Sequence, residues 1–221
     1  MNEQEFLPYV AKHEMKVLHS DGLYRHLRFK EPGDSCYWFD LVTIPGKLIY
    51  TGDMGTYVFS RLDDMFAFFR TDREYAHAKG RQLGINPGYW AEKLLAVDGN
   101  RKGSFEEFDP DAFTRVINEY RVRWMRNARE NGRLSKDDRR ELWEAVDDEV
   151  LSRVDYHGEE VMRTAYEFSW NCVGTKNRWQ FDDLFEHRFT RYTRTFLWCC
   201  YAIAWGIQQY DKTTASDDQK Q

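Results

Sequence analysis

Apolar positions recur with a period near two from Met15 to Phe59 and with a period near 3.6 after Asn86. Met15 and Val17 alternate with polar neighbours, and Ser20-Asp21-Gly22 supplies turn chemistry. In the run Leu23 to Lys30, Leu23, Leu27 and Phe29 share one face, while Tyr24, His26, Arg28 and Lys30 share the other. Arg25 falls on the apolar side. After the connection Glu31 to Ser35, Tyr37 to Thr43 is rich in the aromatic and β-branched residues that strands prefer. Pro45-Gly46 fits the centre of a type II turn, Lys47 to Thr51 makes the next strand, and Gly52 to Gly55 turns the chain into Thr56 to Phe59. Such short connections make neighbours antiparallel, which predicts a meander of about five strands. Residues 1–12 read as a loose lead-in.

Ser60 with Asp63 makes a capping-box-like start, and Leu62, Met65, Phe66 and Phe69 follow as one helical stripe. Arg70 to Leu83 is mixed, a loop or an exposed helical excursion. Asn86-Pro87 joins an N-cap to a proline at the first helical position and predicts a short helix over Tyr89 to Val97. A polar loop, Gly99 to Gly103, separates it from a longer helix that starts at Asp109-Pro110, runs to about Asn131 and ends at Gly132. The inner stripe of that helix is Phe113, Val116, Ile117, Tyr120 and Trp124. Ser135 with Asp138 opens another helix, with Leu142, Val146 and Val150 inward. A break at Asp155 to Gly158 precedes Val161, Met162, Ala165 and Phe168. After a loop from Val173 to Trp179, a last helix is expected from Phe181 to Gln209. Its stretch Phe196 to Ile207 is apolar nearly all round, which predicts burial on several sides or cover by a second copy in a homodimer. Thr213 to Gln221 reads as a disordered tail. The expected architecture is α+β: an antiparallel sheet with a helix over residues 1–83, a helical lobe packed on it over 84–212, and the tail.

Composition changes this picture in two places. The net charge of −5 neither requires nor excludes nucleic acid, because local patches can run against the total. An aromatic share of 16% gives a large apolar payload per residue, enough for a good core, with rings left over for an interface. Cys36, Cys172, Cys199 and Cys200 form no C-x-x-C pair, and adjacent Cys199 and Cys200 cannot bridge without strain. The first residues lack the apolar core of a signal peptide, and no segment reaches the roughly 20 apolar residues of a membrane span. A cytoplasmic protein with reduced, buried thiols and no membrane contact is expected.

No Walker loop, G-x-G-x-x-G, H-E-x-x-H, G-x-S-x-G or EF-hand pattern occurs, so no catalytic residue, cofactor or metal is assigned. If Asp21-Gly22 is a two-residue turn, His19 and His26 fall near each other on one sheet face, but no third ligand accompanies them, and surface histidines are the simpler reading. His157-Gly158-Glu159 has the H-x-E spacing of zinc deaminases without the P-C-x-x-C partner. The binding candidates are polar groups in unusual places. Asp53 sits between turn glycines. Asp40 lies mid-strand beside Trp38, where a buried carboxylate would need an arginine such as Arg61 or a set of donors. Arg115, Arg126, Arg129 and Arg133 fall near one helix face, and Arg188, Arg191 and Arg194 recur at i, i+3 and i+6. Either row could contact phosphates, or could pair with acids such as Asp137-Asp138 and Asp147-Asp148-Glu149 on a solvated face.

Five segments carry a resemblance: His19–Leu27, Tyr37–Thr43, Tyr50–Arg61, Ile85–Lys93 and Trp198–Gly206. Together they resemble a family of uncharacterised bacteriophage and prophage proteins. The resemblance implies a phage origin and an accessory role inside a bacterium, and it brings no fold, activity or catalytic residues. The expected function is binding and inhibition of a bacterial protein complex, such as a CRISPR–Cas or restriction complex. Nucleic-acid binding through the arginine rows, and an enzyme whose site forms only in the folded chain, are the alternatives.

Overall fold

The alternating stretches form strands and the 3.6-period stretches form helices, giving an α+β chain with an antiparallel N-terminal sheet. A computed structural model describes residues 1–98, 104–155, 158–173 and 177–218. The expected loop Gly99 to Gly103, His157 and the middle of the Val173 to Trp179 loop lie outside the described residues. The chain divides into two units, one of Met1–Glu106 with Tyr192–Gln221, the other of Glu107–Arg191. The division therefore falls after Glu106 rather than at residue 84, and the C-terminal helix belongs with the sheet.

In the first unit, β1 (Glu14–Asp21), β2 (Tyr24–Lys30), β3 (Phe39–Ile44), β4 (Lys47–Gly52), β5 (Gly55–Phe59) and β6 (Leu94–Val97) form a six-stranded sheet in chain order. Gly46 takes the positive φ of 80° that the Pro-Gly turn requires. Leu27, Phe29, Phe39, Leu41, Leu48, Tyr50, Tyr57 and Phe59 are buried on the inner face. Helix α1 (Glu3–Val10) replaces the expected lead-in. Asn2 caps it by accepting from the Glu5 backbone N–H, and Phe6 and Val10 are buried one turn apart.

Helix α2 (Met65–Arg70) starts at Asp64, whose side chain accepts from the Phe66 N–H. The expected Ser60–Asp63 box does not form: Ser60 Oγ donates to the Gly46 carbonyl instead, and Leu62 is exposed. Helix α3 (Arg73–Ala78) follows. Asn86 caps α4 (Pro87–Ala91) as expected, but the chain then leaves the helix, and Leu94–Val97 pairs with β5 as the sixth strand.

The second unit is built on α5 (Pro110–Glu130), α6 (Lys136–Glu149) and α7 (Gly158–Glu167). Short strands β7 (Glu106–Phe108), β8 (Trp170–Asn171), β9 (Arg178–Trp179) and β10 (Thr190–Tyr192) form two ribbons, β7 with β10 and β8 with β9. Asp109 caps α5, and a full capping box between Ser135 and Asp138 opens α6. The predicted stripe on α5 meets Leu142, Val146, Val161, Phe168, Phe181 and Leu184 in one core. Arg121 is buried there with its guanidinium 3.8 Å from the Trp143 ring centroid, bonded to Asn118 and Asp147.

The last helix, α8 (Arg194–Asp218), starts later than expected and continues into the expected tail as far as Asp218, the last described residue. Its apolar stretch is buried by this chain: Phe196, Cys199, Cys200, Ala202 and Ile203 are 0% exposed. It packs on the sheet and against α1, α2 and α4, so the all-round apolar character reflects burial on several sides. All four cysteines are free. Burial pushes the Cys199 and Cys200 thiols well up, and Cys36 is exposed, against the expectation of buried thiols. Among the described residues, no helix is long and apolar enough to cross a membrane.

Candidate functional site

Strand pairing decides what surrounds Asp40. Arg28 lies directly opposite it on β2 and Thr51 opposite it on β4. Arg28 donates to both carboxylate oxygens at 2.9 Å, and the His26 ring lies 2.8 Å from Oδ2. Burial pushes the Asp40 carboxyl up, but the bonds from Arg28 and His26 outweigh it and hold the group below the usual carboxylate range. Trp38 is half-buried with the Arg28 guanidinium 5.6 Å from its ring centroid. Arg61, the expected partner, is exposed and takes no part. Asp40 is thus a buried carboxylate with its needs met, a structural arrangement.

Asp53 serves the turn. Its N–H donates to the Trp38 carbonyl at 3.1 Å, and Gly52 beside it lies so close to that carbonyl that a Cβ would stand 2.2 Å from the oxygen. His19 and His26 are cross-strand partners, in a register set by a turn at Gly22-Leu23 rather than at Asp21-Gly22. Among the described residues, no three His, Cys, Asp or Glu side chains gather where they could hold a metal.

The second arginine row does not exist as a row. Arg188 precedes β10, with its Nε bonded to Thr190 Oγ1 at 3.1 Å. Arg191 lies in β10 and bonds Glu107 at 2.9 Å. Arg194 opens α8, 3.7 Å from Glu5. Over Phe181 to Thr193 the chain makes only a short 3-10 turn at Leu184–Glu186 and strand β10, so the i, i+3, i+6 spacing carries no common face.

The first row is real over α5. Arg115, Arg126 and Arg129 are exposed on the helix, and Arg133 is exposed just past its end. No described residue gives the side chain of any of these four a hydrogen bond or ion pair, in contrast to Arg28, Arg121 and Arg191. A groove of about 660 Å³ runs along Arg115, Asn118, Val122, Arg123 and Arg126. A second, of about 830 Å³, shares Val122 and Arg126 and continues to Met125, Arg129 and Arg139. Two acids, Glu119 and Glu130, line these grooves against five arginines, so the lining is net positive. The guanidinium of Arg123 lies 4.3 Å from the ring centroid of Tyr120.

Sequence reasoning missed Arg123, Arg139 and Val122 as members of this surface. The available signal was the helical repeat: Arg115, Val122, Arg126 and Arg129 stand at i, i+7, i+11 and i+14, one face of a helix. Comparison with family models, with curated proteins and with solved structures finds no match to this chain.

Proposed function

We propose that the protein is a binding protein that takes nucleic acid on the arginine face of α5. The observation that carries this reading is that Arg115, Arg126, Arg129 and Arg133 stand exposed with no acid to pair them among the described residues. Four exposed arginines on and just past one helix, with no acid among the described residues paired to them, form a positive surface available to phosphate. The arginine fork suits phosphate oxygens in two-bond geometry, and Asn118 and Asn127 add neutral donors on the same face. The accessory role implied by the phage-like segments would then be exercised on nucleic acid in a bacterium. Inhibition of a CRISPR–Cas or restriction complex would follow from occupying the strand such a complex must reach.

Fluorescence anisotropy with mixed-sequence oligonucleotides tests this. The variant Arg115→Gln/Arg126→Gln/Arg129→Gln is expected to lose about tenfold or more in affinity. Arg191→Gln, whose charge is already matched by Glu107, is expected to bind as the parent does. Failure of the parent protein to bind any oligonucleotide, or equal loss in both variants, would remove the proposal.

A further inference from the structure

The two grooves on α5 hold more than charge, and what they add distinguishes a single strand from a duplex. They share Val122 and Arg126, so they form one continuous path from Arg115 to Arg129, with Arg139 of α6 at the far end. Fourteen helical steps at 1.5 Å give a path of about 21 Å. Its middle is apolar: Val122 is 47% exposed, an unusual place for a valine on a charged helix face, and Met125 is half-buried beside it. Arg123 adds a flat cation whose one side is backed by the Tyr120 ring. Tyr120 is itself 7% exposed and its hydroxyl is bonded to the Asp182 carbonyl, so that backing is fixed.

We infer that the ligand of this surface is single-stranded nucleic acid, with phosphates on Arg115, Arg126 and Arg129 and unpaired bases over Val122, Met125 and the Arg123 guanidinium. The inference rests on the nucleic-acid reading above and narrows it. A duplex keeps its base faces stacked and offers a helix phosphates and groove edges, which leaves the flat Arg123 guanidinium without a stacking partner. A single strand presents base faces, which stack on planar cations and cover apolar side chains without regard to sequence.

The test compares one mixed-sequence single strand, as DNA and as RNA, with the duplex of the same sequence, each titrated into the full-length protein. The single strand, in either or both sugar forms, is expected to bind about tenfold or more tightly than the duplex. Arg123→Lys keeps the charge and removes the flat stacking surface. It is expected to weaken single-strand binding about fivefold and to leave duplex binding unchanged. Duplex binding equal to or tighter than single-strand binding, or an Arg123→Lys effect of the same size on both, would overturn the inference and leave the nucleic-acid reading standing. Binding to none of the probes would remove both.

Discussion

Asp40 and Arg28 face each other across β2 and β3 and are joined by two hydrogen bonds of 2.9 Å, with the carboxylate nearly out of reach of water. A buried acid in mid-strand is costly alone, and here the cost is met by a planar cation in two-bond geometry and by His26. Arg28 and His26 keep 45% and 36% of their side-chain exposure, so removing the acid does not strand them. Asp40→Ala should therefore cost only about 1–2 kcal/mol in urea denaturation. A loss of about 4 kcal/mol or more would mean that the cluster holds the sheet together.

The same chemistry fixes a pH profile. Burial raises the Asp211 carboxyl, but bonds from Arg70 and Arg73 outweigh that and hold it low, as Arg28 and His26 do for Asp40. A lowered native value means that the stabilisation is complete above about pH 4, and is lost as pH falls through the folded values. At the other end, burial pushes the Tyr57 hydroxyl up to about 12 and holds Tyr50 well above its ordinary range. Their contribution is complete below about pH 10 and is lost as pH rises beyond it. Thermal melts across pH should show both edges. The double variant Tyr50→Phe/Tyr57→Phe should move the alkaline edge up, and Asp40→Asn/Asp211→Asn should flatten the acid one.

Two glycines allow a sharper comparison. A Cβ on Gly52 would lie 2.2 Å from the Trp38 carbonyl oxygen and 2.8 Å from Phe39 Cα, atoms that cannot yield without moving the sheet. On Gly206, where α8 crosses the sheet, it would meet the Leu41 and Phe29 side chains at 2.8 and 3.1 Å. Side chains can shift, so Gly206→Ala should cost about 1–3 kcal/mol and Gly52→Ala clearly more, both read from denaturation midpoints. The reverse order would contradict the packing described.

The parts of the fold that could be read from the sequence are those set by local chemistry. The meander from β1 to β5, the Asp109-Pro110 start of α5 and the Ser135–Asp138 box rest on alternation, turn residues and caps, and all form. Except for α1, whose Asn2 cap is local, the misreadings share a cause, which is that distant pairing decided the outcome. Leu94–Val97 is a short apolar run with no alternation, and only its partner β5 makes it a strand. Phe181, Phe185 and Phe189 sit at helical spacing and suggest one long helix, yet Phe185 is 74% exposed while Phe181 and Phe189 are buried. The false arginine row came with that false helix. Arg28 could not be matched to Asp40 because register across the Glu31 to Ser35 connection is set by the fold. The solitude of the α5 arginines is of the same kind, since it depends on where every acid of the chain ends up.

The most direct test of the central claim is the salt dependence of oligonucleotide binding. The logarithm of the association constant should fall linearly with the logarithm of salt concentration, with a slope of about −0.7 for each phosphate neutralised on a single strand. Replacing Arg115, Arg126 and Arg129 by Gln should make that slope shallower by about two. A binding constant that ignores salt, or an identical slope in parent and variant, would contradict the assignment of the α5 face as the phosphate-binding surface.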